Sequence, residues 1–194
     1  MIEFTDFVCR RDGRALFKPI SGRVDAGEAI ELIGPNGAGK STFLRALAGL
    51  HTQVDGEKHI ARLLYQGHRL GLDPLATPLQ NIRWFGNLLD NAVTDGQIRE
   101  ALQRVSMVRF ATALVGRLSA GQQRRVGMAR WLLDSAPVWL LDEPLTALDV
   151  EGQKLVDELI QEKLAAGGAV IYATHTDIPI PGKGKLEIEP VSEA

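Results

Sequence analysis

Apolar residues along this 194-residue chain change their spacing several times, and each change predicts an element. MIEFTDFV (1–8) alternates well enough for an opening strand, and RDGR (11–14) reads as the turn after it. AIELIG (29–34) is a second strand closed by glycine. In STFLRALAGL (41–50) the period lengthens to that of a helix, with Phe43, Leu44, Leu47 and Leu50 on one face. ARLLYQG (61–67) returns to strand character.

From about residue 72 to 125 helical spacing takes over. Ile82, Phe85, Leu88 and Leu89 share one face, and Thr94 with Gln97 makes a capping box for a helix that turns Ile98, Ala101, Leu102 and Val105 inward. VWLLDEP (138–144) is then a short apolar strand ending on two acids. EGQKLVDELIQEKLAAGG (151–168) is an amphipathic helix with Leu155, Val156, Leu159 and Ile160 inward and glycines at its end. AVIYATH (169–175) is another buried strand, Pro179 and Pro181 break any long helix in the tail, and KLEIE (185–189) suits a short edge strand. This alternation predicts an α/β core with a parallel sheet, built from 1–71 and 126–194, with 72–125 as an inserted helical lobe.

Composition narrows the picture only a little. With 45% hydrophobic and 24% charged residues the chain is an ordinary folded domain, and a net charge of -2 gives no general attraction to nucleic acid, so no nucleic-acid partner is expected. Cys9 is the one cysteine, which excludes an intrachain disulfide and a cysteine metal cluster. The opening residues lack a basic stretch followed by an apolar run, and no run nears the roughly 18 apolar residues of a membrane span; neither an export signal nor a crossing helix is expected.

The chemistry concentrates at strand ends. GPNGAGKST is Gly34, Pro35, Asn36, Gly37, Ala38, Gly39, Lys40, Ser41 and Thr42, and its first eight residues fit the phosphate-cradling P-loop between a strand and a helix. Its glycines let successive backbone N–H groups converge on phosphate oxygens, Lys40 reaches the β and γ phosphates, and Ser41 can ligate Mg²⁺. VWLLDEP places Asp142 and Glu143 at a strand's carboxyl edge, the first to support Mg²⁺, the second to orient and polarise an attacking water as general base. His175, at the end of AVIYATH, reaches the same edge and could touch the γ-phosphate or the water. LSAGQQRRV (118–126) is ambiguous by spacing alone: a serine and glycine opening a helix can bind an anion, while Arg124 and Arg125 also fit a solvated face.

With that stretch the chain resembles the ATP-binding cassette (ABC) ATPases over essentially its whole length. LSAGQQRRV resembles their signature motif, 34–42 their Walker A, VWLLDEP their Walker B, ALD (147–149) their D-loop and His175 their switch histidine. The resemblance implies a P-loop NTPase fold of the ABC ATPase type, a RecA-like α/β core with an inserted helical subdomain, using ATP and Mg²⁺. It also implies that Ser119, Ala120, Gly121 and Gln122 complete the ATP site of a second copy in a head-to-tail dimer, and that Asp149 of the D-loop binds nucleotide. YQGHRLGLDPLATPLQNIRWF, LSAGQQRRVGMAR and LDEPLTALD further resemble the ATPase subunits of bacterial cytochrome c maturation haem-export complexes. That likeness implies integral-membrane partner subunits, a peripheral position on the cytoplasmic face of the inner membrane, and ATP use in haem export or haem-chaperone handover, with no haem bound directly. The alternative is a soluble ABC ATPase of another system, such as iron–sulfur cluster assembly.

Two departures from the family pattern stand out. CRRDGR (9–14) has no aromatic where many members stack adenine, leaving Arg10 or Arg11 to take that place. The family also ends the strand before the helical lobe with a glutamine. Here His68 takes that position, with an expected catalytic and Mg²⁺-facing role, and Gln66 two residues earlier is the alternative; on a strand both point to the same side.

Overall fold

The structure is a computed structural model that describes residues 1–89 and 93–191; the parts of the expected lobe and core at 90–92 and 192–194 lie outside it. Its elements in chain order are β1 (Ile2–Arg11), β2 (Arg14–Ala15), β3 (Ile20–Val24), β4 (Ala29–Ile33), α1 (Lys40–Leu47), β5 (Val54–Ile60), β6 (Leu63–Gln66) and α2 (Pro78–Gly86). There follow α3 (Asp95–Arg104), α4 (Ala120–Leu133), β7 (Val138–Asp142), α5 (Val150–Ala165), β8 (Ala169–Ala173) and β9 (Gly184–Glu187). They fall into two compact units. One holds Met1–His68, Ala136–Pro144 and the chain from Asp157; the other holds Arg69–Ser135 and Leu145–Val156.

The first unit contains a five-stranded parallel sheet in the order β6-β7-β8-β4-β9. VWLLD and AVIYA are buried at every position, which is why both strands read as unbroken apolar runs rather than as alternation. Ala173 pairs with Asp142 on one side and Leu32 on the other, so β7, β8 and β4 end level with one another. Their outgoing loops therefore start from one edge, the edge where such sheets hold ligands. The expected tail strand is present as β9, at the sheet's margin.

A second sheet in this unit is antiparallel, β1 pairing with β2, β3 and β5. Its β3 (ISGRV) and β5 (VDGEKHI) were not anticipated, because glycine and charge interrupt their pattern. Phe4 and Phe7 of β1, together with Phe17, close on Phe43 of α1 in edge-on contacts at centroid distances of 5.3, 5.8 and 6.1 Å. All four rings are buried, and each edge-on pair adds about 0.5–1.5 kcal/mol beyond area burial. Lys58 of β5 donates to the carbonyls of Ala46 and Leu47, placing a cation at the C-terminal end of α1, where the helix dipole favours it. The helix stops at Leu47, so Leu50, expected in the core, is exposed.

The second unit packs α2, α3 and α4. Each begins with a capping box: Thr77 with Gln80, Thr94 with Gln97 and Ser119 with Gln122. Ile98, Ala101, Leu102 and Val105 are buried as expected, whereas α2 ends at Gly86 and leaves Leu88 exposed rather than on an inward helical face. The expected return to the core at 126 falls inside α4, which continues to Leu133 with Gly127, Met128, Ala129 and Trp131 buried, packing that outweighs the helix cost of the glycine. The unit therefore reaches Ser135 and also takes in Leu145–Val156.

Candidate functional site

The loop from β4 to α1 carries the phosphate cradle. Its last glycine, Gly39, sits at φ 106° and serves as the N-cap of α1. A Cβ there would stand 2.9 Å from the Phe17 ring, so both backbone conformation and space demand glycine. Lys40 is buried, and its ammonium donates to the carbonyls of Gly34 (2.7 Å) and Pro35 (3.1 Å). Those neutral acceptors hold the charge inside the loop. Anionic phosphate oxygens make stronger charge-assisted bonds, so a nucleotide can draw the ammonium over.

Ser41 follows on the first turn of α1, and its hydroxyl donates to Asp142 Oδ1 at 2.9 Å. Asp142 ends β7 and is buried. A hydroxyl and a carboxylate meeting this closely supply the hard oxygen donors that Mg²⁺ requires, so the donor set fits that ion. Tyr65 of β6 lies close enough to feel the same carboxylate; burial first, and Asp142 second, push its phenol up to about 12.

Glu143 leaves the strand in a left-handed conformation, φ 52°, that costs a non-glycine residue about 1–2 kcal/mol. Its N–H is held by the Ala173 carbonyl at 2.8 Å, so β8 sustains the turn that aims the side chain. Oε1 of Glu143 lies 3.4 Å from Nε2 of His175, which is itself largely exposed. Lys40, Ser41, Asp142, Glu143 and His175 all line one cleft of about 290 Å³, together with Asn36, Gly37, Gly39, Thr42 and Arg11.

Of the two candidates for the base contact, both line the larger of two adjoining clefts, and Arg11 alone also lines the phosphate cleft. Arg10 is bound to Asp55 (2.6 Å) and to the Gly13 carbonyl (3.1 Å). Arg11 and Gly37 line both the phosphate cleft and an adjoining cleft of about 1080 Å³, formed by the β1–β2 hairpin with Pro190 and Val191.

The end of β6 separates the two candidates for the lobe-linking position. β6 ends at Gln66, so side-chain alternation no longer applies two residues on; His68 is exposed and is absent from the described walls of the cleft. Gln66 is 1% exposed, donates to the Gly67 carbonyl at 3.1 Å and pairs in register with Leu141, the neighbour of Asp142. It too is absent from the cleft's described walls.

In the second unit, Ser119 caps α4 by accepting the Gln122 N–H (3.2 Å), while Gln122 Oε1 accepts the Ser119 N–H (2.9 Å). The first turn of this 14-residue helix, which includes Ala120 and Gly121, carries no acid, so its positive end is not neutralised from within. Arg124 is buried and Arg125 bonds Asp149, which removes the reading of this pair as a merely solvated face. That ion pair was invisible in the sequence because its members stand 24 residues apart.

Comparison with known proteins gives a consistent answer. A family model described as ABC transporter matches residues 17–146. The cytochrome c biogenesis ATP-binding export protein CcmA of Paramagnetospirillum magneticum is 39% identical over 199 residues, covering 95% of this chain and 92% of that protein. Its counterpart in Tatumella citrea is 40% identical over 192 residues, covering 92% and 90%. Among solved structures, the dimeric bacterial ABC transporter cassette MJ0796 superposes with a TM-score of 0.82 at 25% identity, over 97% of this chain and 94% of that one. The post-hydrolysis dimer of the same cassette, bound to ADP and Pi, shares the fold with a TM-score of 0.85 at 24% identity, over the same shares. A P-loop, a strand-end acid pair and a capped signature helix, on a fold shared with known cassettes, leave one conclusion: the chain is an ABC-type ATPase and belongs to the ABC transporter family.

Proposed function

We propose that this chain hydrolyses Mg-ATP at a site completed by a second copy of itself, and that the resulting motion drives integral-membrane subunits serving haem delivery in cytochrome c biogenesis. The observation that carries the reading is the gathering of Lys40, Ser41, Asp142, Glu143 and His175 in one cleft. The relatives' role in cytochrome c biogenesis supports the choice of system, and the dimeric state of MJ0796 supports the two-copy site. Among the described residues no helix is long and apolar enough to cross a membrane, so attachment at the cytoplasmic face of the inner membrane would come through partner subunits.

In this mechanism the loop N–H groups and the N-terminus of α1 receive the triphosphate, and Lys40 exchanges loop carbonyls for β and γ oxygens. Ser41 and Asp142 would hold Mg²⁺, which supplies Lewis-acid neutralisation of the phosphoryl charge. Glu143, fixed through Ala173, orients the attacking water and takes its proton, and His175 beside it steadies the water and the γ-phosphate. Gln66 takes the lobe-linking role in place of His68, since it alone ends a strand beside Asp142. Ser119, Ala120, Gly121 and Gln122 present the capped end of α4 to the partner copy's ATP. Arg11 faces the base.

The test is Glu143→Gln. Turnover falls by roughly 10²–10⁴ while Mg-ATP binding persists and a closed dimer accumulates. Unchanged hydrolysis would remove Glu143 as the base. Affinity purification from solubilised membranes decides the system: membrane subunits of cytochrome c maturation are expected, and recovery of soluble iron–sulfur assembly proteins alone would overturn it.

A further inference from the structure

We infer that Arg125 is a positioning residue. It latches the segment Ala147–Asp149 onto the start of α4, so that two stretches directed at a partner copy's ATP move as one rigid piece. The inference rests on the two-copy reading of the site and adds to it an assignment within one chain.

Two contacts of different chemistry make the latch. Arg125 Nη2 donates to Asp149 Oδ1 at 2.6 Å, the arginine side chain being 12% exposed and the aspartate 69%. At the other end of the segment Ala147 adopts a left-handed backbone, φ 64°, and its carbonyl oxygen lies 2.6 Å from where a Cβ on Gly121 would stand. Residues 121 and 125 are one helical turn apart on the same face of α4, so the three-residue segment is held at both ends against a single stripe of the helix. The close backbone approach is possible only because position 121 has no side chain.

Asp149 Oδ1 also accepts the Gly152 N–H at 2.9 Å, which fastens the start of α5. One carboxylate oxygen thus serves two donors of its own chain. Through these two bonds Asp149 shapes the loop that carries it, a role that stands beside the nucleotide contact expected of it. An ion pair this exposed adds little to global stability, so its value lies in geometry. The capped N-terminus of α4 and the turn at Ala147 keep a constant spacing while the unit moves.

The test uses the full chain carrying Glu143→Gln, with Arg125→Ala, Arg125→Lys, or the paired exchange Arg125→Asp/Asp149→Arg. Hydrogen exchange of amides 147–152 without nucleotide reads the latch itself. Sedimentation with Mg-ATP reads dimerisation, and a fluorescent ATP analogue reads binding to the monomer. With Arg125→Ala, exchange in 147–152 accelerates roughly fivefold and dimerisation weakens by a similar factor, while monomer binding holds. Arg125→Lys falls between, and the paired exchange recovers dimerisation only in part, because an arginine at 149 restores the ion pair but cannot accept the Gly152 N–H. Unchanged exchange in Arg125→Ala overturns the latch; faster exchange with undiminished dimerisation overturns its positioning role. A Glu143→Gln parent that stays monomeric with ATP overturns the two-copy reading instead, and the exchange measurement then decides the latch alone.

Discussion

Replacing Gly39 with alanine separates two penalties that the cradle places on one atom. The backbone at φ 106° is a left-handed conformation, which costs an L-residue about 1–2 kcal/mol. The added methyl would stand 2.9 Å from Phe17 Cδ1 and 3.3 Å from Cε1. Phe17 is fully buried, with the Phe43 ring at 6.1 Å, so overpacking adds about 1–3 kcal/mol. Together these give a loss of roughly 2–5 kcal/mol. Urea unfolding at constant slope measures it, and a fluorescent ATP titration shows how much falls on the cradle. Phe17→Leu in the same chain removes the ring edge that the methyl meets. A double-mutant cycle should therefore return the overpacking share, with a coupling of about 1–3 kcal/mol, and leave the backbone share in place. A Gly39→Ala chain within about 0.5 kcal/mol of the parent would refute both penalties. Full recovery by Phe17→Leu would refute the backbone one.

Other expectations follow from the same site. Arg11→Ala should raise KM for both ATP and GTP by roughly 2- to 30-fold, the worth of a lost cation–π contact, while Arg10→Ala changes KM less because Arg10 is already bound to Asp55 and Gly13. Nucleotide-competition kinetics would show it, and equal effects would cancel the distinction. Gln66→Ala should raise the Mg²⁺ concentration for half-maximal hydrolysis, with His68→Ala normal; the reverse pattern would restore His68 to the role. The Asp149 carboxyl is held below the ordinary aspartate value, first by the Gly152 N–H and then by Arg125. A depressed folded-state pKa means a contribution that is present above about 3.9 and lost as pH falls through the folded value. Carboxyl NMR titration of Arg125→Ala should move the Asp149 midpoint upward, and no movement would argue against the ion pair.

The strand ends that build the site were legible because their chemistry is local. GPNGAGKST, LLDEP and YATH each join an apolar strand directly to its polar group, and the parallel sheet then ends those strands level. β3 and β5 were hidden for the opposite reason: ISGRV and VDGEKHI owe their conformation to pairing with β1, not to their own pattern. Leu50 and Leu88 misled because apolar spacing continues one turn past where α1 and α2 stop. Alternation could not separate His68 from Gln66, since both share its parity; what sequence did not reveal is that β6 stops at Gln66. Arg125 looked solvated until the fold brought Asp149 to it.

β8 has a consequence that its apolar sequence conceals. Its last carbonyl, on Ala173, fixes the turn of Glu143, and two residues later the same strand delivers His175. Base and histidine therefore both depend on the register of β8 between β7 and β4. A substitution in AVIYA that shifts the strand disturbs at once the carbonyl that holds the Glu143 turn and the strand end from which the chain runs on to His175. Changes there that pass for ordinary core replacements should disable turnover well before they unfold the protein.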